Sequence, residues 1–301
     1  MHAVNGVSFS VRAGETLCIL GESGSGKSVT LRALMRLLPA GRAQITGGLT
    51  VDGRDVLAMD RKTLGAYRGG LASMIFQEPM TALDPVYTIN QQISETIIRH
   101  KGGSKAQARA RALELFELVK IPSPERRLDA YPHELSGGLR QRAMIAMALS
   151  CGPRLLLADE PTTALDATVQ IQVLILLRRL QQEMGMATIF VTHDLGVAAE
   201  IADRIAVMYA GRIVEEGPVA DILANPQHPY TQGLLASTVH GEHRDQDIQA
   251  IPGSPPDLRR LPSGCAFGPR CNQAMEACRT TVPDPRHPAP GRMARCLKVF
   301  V

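Results

Sequence analysis

The chain has 301 residues, 45% of them hydrophobic, which is enough for one large domain with a sizeable core plus an appendage. Its net charge of +4 is mild and no long block of like charge occurs, which argues against a nucleic-acid-binding protein. No stretch reaches the ~18 apolar residues of a membrane span and no signal peptide opens the chain, so we expect a cytosolic protein.

Residues 1–225 alternate between short apolar segments and amphipathic segments, which predicts an α/β fold with a mostly parallel sheet. We expect strands at 16–20, 155–158 and 187–192, and helices at 27–38, 139–150 and 168–183. Residues 86–150 predict a largely helical subdomain. Its helix at 103–121 is expected to turn Leu113, Phe116 and Leu118 toward the core.

The segment GESGSGKS at 21–28 follows the first strand and opens the first helix, and it fits the phosphate-loop pattern. Its glycines let the backbone wrap round phosphates, while its N–H groups and the helix N-terminus supply positive potential. We expect Lys27 to reach the β- and γ-phosphates and the Ser28 hydroxyl to bind Mg²⁺. The predicted nucleotide-contacting residues are Gly21, Glu22, Ser23, Gly24, Ser25, Gly26, Lys27, Ser28 and Val29.

Polar residues also follow three further apolar strands. The segment RLLLADEP delivers Asp159 to a strand end, where it can hold Mg²⁺ through water, and Glu160 can polarise the attacking water. His193 follows the third strand and could touch a γ-phosphate and orient Glu160 or the water. Gln77, after the strand in MIFQEP, can coordinate Mg²⁺ or water.

A second turn of phosphate-binding type, LSGGLRQR at 135–142, lacks the lysine of the first. Ser136, Gly137 and Gly138 offer backbone N–H groups to an anion at the start of a predicted helix. One nucleotide site does not need two such turns, so the second turn calls for another explanation.

Together these segments resemble the ATP-binding cassette proteins. GESGSGKS is similar to the Walker A loop, Gln77 to the Q-loop, LSGG to the signature, LLLADE to Walker B, TTALD at 162–166 to the D-loop, and His193 to the switch histidine. The resemblance implies a P-loop ATPase with a mostly parallel core sheet, a small antiparallel β subdomain and a helical subdomain. It also implies head-to-tail pairing, in which the signature of one cassette, with Asp166 nearby, meets the ATP held by the other.

A closer resemblance covers almost the whole chain. MIFQEPMTALDPVYTI, YPHELSGGLRQR and NPQHPYTQGLLAS are similar to ATPase subunits of dipeptide and oligopeptide importers. This implies a partner ATPase that is often a different chain, two membrane permeases and an extracytoplasmic substrate-binding protein, with this chain on the cytoplasmic face of the membrane. Segments 77–90 and 131–135 would lie near the permease. Nickel or glutathione import and a non-transport cassette remain alternatives.

The remainder, 226–301, is expected to be a loop-rich extension, because it contains 11 of the 20 prolines. Cys18 and Cys151 sit in apolar contexts and are expected in the core. Four cysteines crowd the end of the chain: Cys265, Cys271, Cys278 and Cys296. They could ligate a [4Fe–4S] cluster, which the resemblance also suggests; zinc and metal-free thiols are the alternatives, with structural support or redox sensing both open.

The sequence departs from the family pattern at two points. Leu139 follows the second glycine of LSGG, where glutamine is usual, although apolar residues fit the peptide-importer subgroup. Only 20 residues precede Gly21, so an N-terminal strand and an adenine-stacking aromatic are expected to be missing. The sole aromatic there, Phe9, is interpreted as an inward-facing strand residue. We therefore expect weak nucleotide affinity, since a stacking platform contributes about 1–3 kcal/mol.

Overall fold

The computed structural model describes residues 2–39, 41–163, 165–237 and 251–299, and every structural statement concerns these residues. The strands are β1 Thr16–Leu20, β2 Thr50–Val51, β3 Arg54–Asp55, β4 Ala72–Ile75, β5 Leu155–Asp159, β6 Ala187–Thr192, β7 Arg204–Tyr209, β8 Arg212–Pro218 and β9 Met293–Ala294. The helices are α1 Lys27–Leu34, α2 Arg61–Ala66, α3 Pro79–Ala82, α4 Ile89–Lys101, α5 Lys105–Leu118, α6 Pro124–Leu128, α7 Gly137–Leu149, α8 Ala167–Met184, α9 Leu195–Ile201, α10 Val219–Ala224 and α11 Pro229–Ala236.

The chain divides into two compact units, and the first contains the described parts of Met1–Ser10, Thr16–Thr30 and Phe190–Val301. In this unit β1 runs parallel to β7, while β7 with β8 and β8 with β9 pair antiparallel. All five residues of β1 are buried. A strand buried on both faces is the expected product of an unbroken apolar run such as TLCIL.

The second unit contains Val11–Glu15 and Leu31–Ile189. Its strands β4 and β5 pair in parallel, with Ile75 opposite Ala158, and β2 and β3 form a small antiparallel sheet. Helices α4 and α5 each begin at a capping box, made by Thr88 with Gln91 and by Ser104 with Gln107. The expected fold class is confirmed: parallel strands, a small antiparallel sheet and a helical region around 89–149.

Several predicted elements match the observed ones. The strands predicted at 16–20 and 187–192 have those bounds, and the predicted helix at 168–183 is one residue longer at each end. Cys18 and Cys151 are buried as expected. In the described part of the chain, no helix is both long enough and apolar enough to cross a bilayer.

Three local predictions are wrong. Helix α1 ends at Leu34 instead of 38, because Arg36 takes a left-handed conformation with φ of 50°. Residues 7–11 form no strand, and Phe9 is only partly buried. On α5, Leu113 and Leu118 are half-buried. The face that packs inward consists of Ala108, Ala112, Leu115 and Phe116.

The inward face of α5 follows the helical period, since buried positions recur at intervals of three and four residues. We expect Leu115→Ala to lower the free energy of unfolding by about 2–5 kcal/mol, because the deletion leaves a cavity in the core. The matched change Leu113→Ala removes the same atoms from a half-buried position and is expected to cost less than half as much. Urea unfolding followed by circular dichroism compares the two; equal losses would contradict the assigned face.

The C-terminal part of the first unit is anchored to β8 through a buried carboxylate. Glu215 is fully buried and accepts hydrogen bonds from the backbone N–H groups of Gln227, at 2.7 Å, and His228, at 2.9 Å. It also pairs with the buried guanidinium of Arg292 at 3.2 Å. Because several donors satisfy this charge, the desolvated carboxylate ties β9 and the start of α11 to one strand.

His228 is buried, and its Nδ1 accepts the backbone N–H of Tyr230 at 3.0 Å. Burial lowers the pKa of this imidazole to about 4 from its ordinary 6.5. Between these values the unfolded chain binds more protons than the folded chain, so stability falls as the pH drops from about 6.5 toward 4. The carboxylate that faces the His228 backbone is that of Glu215, which is paired with Arg292.

We therefore expect His228→Gln to remove about 2 kcal/mol of the stability difference between pH 7 and pH 5. Urea unfolding at the two pH values measures this difference. The exposed His133→Gln serves as control and should retain the wild-type dependence. If His228→Gln kept the wild-type pH dependence of the unfolding free energy, the buried imidazole would not be its cause.

Candidate functional site

The backbone of the phosphate loop touches its surroundings so closely that two glycines are obligatory. A Cβ on Gly21 would lie 2.2 Å from the carbonyl oxygen of Met208 on β7. A Cβ on Gly26 would lie 2.7 Å from the carbonyl oxygen of Ala3, and its φ of 106° is open only to glycine. The loop is thereby pressed between β7 and the N-terminal segment, with Ser23 and Gly24 exposed at its tip.

Lys27 is folded back into this loop. Its Nζ donates to the carbonyl oxygens of Gly21, at 2.7 Å, and Glu22, at 3.0 Å, and the residue is only 4% exposed. The buried Ser25 hydroxyl has no hydrogen-bond partner within the described structure. Buried polar atoms are normally satisfied, so an orphaned hydroxyl beside the N-terminus of α1 fits a loop that receives an anion.

Glu22 is fixed by two residues that sequence reasoning missed. Its backbone N–H donates to the Tyr230 hydroxyl at 2.9 Å. Its carboxylate accepts two hydrogen bonds from the Arg270 guanidinium, at 2.7 and 3.0 Å. This pairing raises the pKa of Arg270. Both residues are more than 200 positions from Glu22 along the chain, so the sequence carried no local signal for these contacts.

In the first unit, His193 lies directly after β6 and is exposed. The next residue, Asp194, caps α9 by accepting the N–H groups of Gly196, at 2.7 Å, and Val197, at 3.2 Å. Its own N–H donates to the Thr192 hydroxyl at 3.0 Å. The imidazole is therefore carried by a rigid strand-to-helix junction.

In the second unit, Asp159 is the buried last residue of β5 and Glu160 follows it with a φ of 44°. Non-glycine residues seldom adopt this left-handed region, and such strain clusters at functional sites. The Glu160 carboxylate accepts a hydrogen bond from the Thr163 hydroxyl at 3.0 Å. Gln77 is exposed two residues past β4, which pairs with β5, so Gln77 and Asp159 lie at the same edge of these strands.

The signature turn and the D-loop also meet within the second unit. The Ser136 hydroxyl caps α7 by accepting the Leu139 N–H at 3.4 Å. The Asp166 carboxylate caps α8 by accepting the Val169 N–H at 3.0 Å. A Cβ on Gly138 would lie 2.8 Å from a methyl carbon of Val169, so the N-termini of α7 and α8 are packed together.

These two helix starts are open to solvent: Ser136, Gly137 and Asp166 are exposed. Nothing lies within 4 Å of a Cβ built on Gly137. Ala164 of the D-loop is outside the described residues. Two exposed helix N-termini side by side present backbone N–H groups and positive potential to an incoming anion.

The predicted site residues thus fall into two groups. The phosphate loop and His193 belong to the first unit; Gln77, the Asp159–Glu160 pair, the signature turn and Asp166 belong to the second. Ser28, Gln77 and Asp159 supply oxygen atoms, the donors that Mg²⁺ prefers. Mg²⁺ usually binds through one or two side chains together with phosphates and water, and these residues fit that chemistry.

The prediction of a [4Fe–4S] cluster is wrong. Among the described residues, which include Cys265, Cys271, Cys278 and Cys296, no group of three or more His, Cys, Asp or Glu side chains could hold a metal ion. The four cysteines line a cavity of about 20 Å³, room for about one water molecule. Burial raises the pKa values of the Cys265 and Cys271 thiols, which disfavours the thiolates that ligate metals.

Comparison with known proteins finds two family models that match this chain. Residues 4–163 match the family model described as ABC transporter, and residues 214–278 match the model described as Oligopeptide/dipeptide transporter, C-terminal region. The oligopeptide transport ATP-binding proteins OppD of Salmonella typhimurium and Escherichia coli are each 49% identical over 98% of this chain, covering 88% and 87% of their own lengths.

A solved structure agrees with this similarity. It is described as the dimeric structure of a post-hydrolysis state of an ATP-binding cassette bound to ADP and Pi. It is 31% identical to this chain, covers 72% of it and 90% of its own length, and superposes with a TM-score of 0.64.

The contact between Gly138 and Val169 yields a test of the geometry at the signature turn. We expect Gly138→Ala to destabilise the protein by about 1–3 kcal/mol, because its methyl group overlaps a stiff side chain. Val169→Ala in the same chain should restore most of the loss. Gly137→Ala, which meets open space on the same helix, is the control and should be neutral or slightly stabilising. Thermal unfolding of the three variants and the wild type measures these effects, and no rescue by Val169→Ala would contradict the packing.

Proposed function

The chain belongs to the ABC transporter family, and from that premise we infer that it is the ATP-hydrolysing subunit of a peptide importer. The observation that carries the cargo class is the match of residues 214–278 to the oligopeptide/dipeptide transporter C-terminal region. The near full-length similarity to OppD proteins supports it.

Nucleotide binding is assigned to residues 21–29. The Ser25 hydroxyl, orphaned in the described structure, donates to a phosphate oxygen. Lys27 exchanges the carbonyls of Gly21 and Glu22 for phosphate oxygens, a stronger partner for an ammonium group. Ser28, Gln77 and Asp159 hold Mg²⁺, which when bound neutralises charge on the phosphates.

Hydrolysis is assigned to Glu160 and His193. Glu160 follows β5 in a strained conformation, and its carboxylate, oriented by the Thr163 hydroxyl, accepts a proton from the attacking water. His193, on its strand-to-helix junction, orients that water and the γ-phosphate. Two polar groups delivered by strand ends suit phosphoryl transfer, in which positioning and electrostatics do most of the catalysis.

A second cassette completes the site. The exposed N-termini of α7 and α8, with Ser136, Gly137, Gly138 and Asp166, face the ATP of a partner ATPase. This explains why the signature turn needs no lysine, since the partner's phosphate loop supplies one. The partner is a homologous cassette from a different chain or a second copy of this one. ATP binding closes the pair, and hydrolysis opens it again.

Large apolar side chains are exposed in the segments expected to meet the permeases. They are Met80, Val86, Tyr87 and Tyr131, which are between 40% and 68% exposed. Together they support the proposal that 77–90 and 131–135 contact two membrane permeases, with the chain peripheral at the cytoplasmic face of the membrane. The extracytoplasmic binding protein joins through that complex.

The role of each group can be separated by two substitutions in the assembled transporter. We expect Lys27→Ala to abolish ATP binding, and Glu160→Gln to bind ATP but lose about 10²–10⁴-fold in turnover, since it cannot take a proton. The matched controls Lys105→Ala and Glu117→Gln, both exposed on α5, should behave as wild type. Nucleotide binding and phosphate release measure these effects. Near-normal turnover in Glu160→Gln would remove it from the catalytic role.

The same variants identify the cargo in cells that carry each in place of the native chain. Lys27→Ala should abolish uptake of a labelled dipeptide or longer peptide, whereas Lys105→Ala should not. Loss of nickel or glutathione uptake with peptide uptake intact would replace the proposed cargo. Normal uptake of all of these would favour a cassette that acts outside transport.

A further inference from the structure

We propose that Arg270, in the C-terminal extension, is a positioning residue for the phosphate loop, which cancels the negative charge of Glu22 and fixes the loop for nucleotide. The proposal rests on the proposed function only in taking residues 21–28 as the ATP site. It assigns a new role to a residue 248 positions away from the loop.

The pairing of Arg270 with Glu22 is bidentate. The two guanidinium nitrogens Nη1 and Nη2 lie 2.7 and 3.0 Å from separate oxygens of the carboxylate. The Arg270 side chain is 5% exposed and that of Glu22 is 28% exposed. Two parallel charge-assisted bonds with one partner buried fix both the distance and the orientation of the carboxylate, which a monodentate surface pair does not do.

Arg270 is itself held on every side, so it acts as a fixed point. Its Nε donates to the carbonyl oxygen of Pro252 at 2.8 Å, and Nη2 reaches that of Ile251 at 3.5 Å. Nη1 also contacts the Tyr209 hydroxyl at 3.4 Å, and the guanidinium carbon lies 5.8 Å from the centroid of the Tyr209 ring. All five N–H groups of the guanidinium therefore have a partner.

A second contact fixes the backbone of the same loop residue. The Glu22 N–H donates to the hydroxyl of Tyr230, a fully buried residue of α11. The Tyr230 ring packs against those of Tyr209 and Phe267, with centroids 4.6 and 5.4 Å away. The C-terminal extension thus fixes Glu22 twice. Tyr230 binds its main chain and Arg270 binds its side chain, and both belong to one connected aromatic and polar cluster.

The contacts of Arg270 and Tyr230 with Glu22 also affect the rest of the phosphate loop. The Glu22 carbonyl oxygen accepts from Lys27 Nζ and, at 3.3 Å, from the backbone N–H of Ser25. The position of Glu22 therefore sets where the ammonium group rests and how the loop curves. Without Arg270, Glu22 would also leave an uncompensated carboxylate beside a site that must receive several phosphate charges, and the two would repel.

The charge argument gives an effect that a purely structural role does not produce. We expect Arg270→Gln to weaken ATP binding to the full chain by about three- to tenfold, as expected for one uncompensated charge near the phosphates. The loss should be largest for ATP, smaller for ADP and smallest for AMP. Arg270→Lys keeps the charge but not the bidentate geometry, so it should fall between Arg270→Gln and the wild type.

Removing the carboxylate provides the decisive variant. The double variant Glu22→Gln/Arg270→Gln should bind ATP within about twofold of wild type, because the uncompensated charge is gone. Arg292→Gln is the matched control: it also breaks a buried arginine–carboxylate pair of the first unit, with Glu215, and should lower the melting temperature without changing the order of ATP, ADP and AMP affinities.

Isothermal titration of the full-length chain with each nucleotide, at a temperature well below the melting point of every variant, measures these affinities. Unchanged ATP affinity in Arg270→Gln, or a loss that the double variant does not relieve, overturns the proposal. Failure of the wild-type chain to bind ATP in the assembled transporter would overturn the proposed function instead, so the two failures are distinguishable.

Discussion

The placement of one ammonium group inside a tight turn governs the structure of the candidate site. Lys27 is buried, and its ammonium group donates hydrogen bonds to carbonyl oxygens of the phosphate loop. A loop that bends enough to present those carbonyls lies close to neighbouring main chain at Gly21 and Gly26, where a side chain would clash. The same curvature turns the N–H groups of the loop and of α1 toward one point, which is what an anion requires.

The second unit carries its functional side chains at the ends of well-packed strands and helices. Strand β5 is buried throughout, and the helices α7 and α8 each bury one face, whereas Glu160, Ser136 and Asp166 lie at the ends of these elements. Capping bonds stabilise those ends without covering them. The packed elements of this unit leave the N-termini of α7 and α8 exposed. This arrangement suits a subunit whose ligand is also bound by a partner.

Much of this could be predicted from the sequence wherever the signal was local. The strands β1 and β6 have their predicted bounds, because short segments rich in apolar residues specify buried strands. The end of α1 was missed because the left-handed Arg36 carries no glycine or proline signal. The inward face of α5 was misassigned because small alanines share it with Leu115 and Phe116. Arg270 was missed because its partner Glu22 lies 248 residues away along the chain. The metal cluster was wrongly predicted because the spacing of the cysteines along the chain does not show whether they surround a space that a metal could fill.

The distance along the chain between Glu22 and Arg270 also bears on how the protein is made. Synthesis proceeds from the N-terminus, so the phosphate loop leaves the ribosome 248 residues before the arginine that fixes its carboxylate. Contacts of such high sequence separation form late, because a long loop of chain must first be closed. The loop therefore acquires its final anchoring only after the segment that carries Arg270 has been synthesised, and shorter nascent chains cannot hold it in its final form.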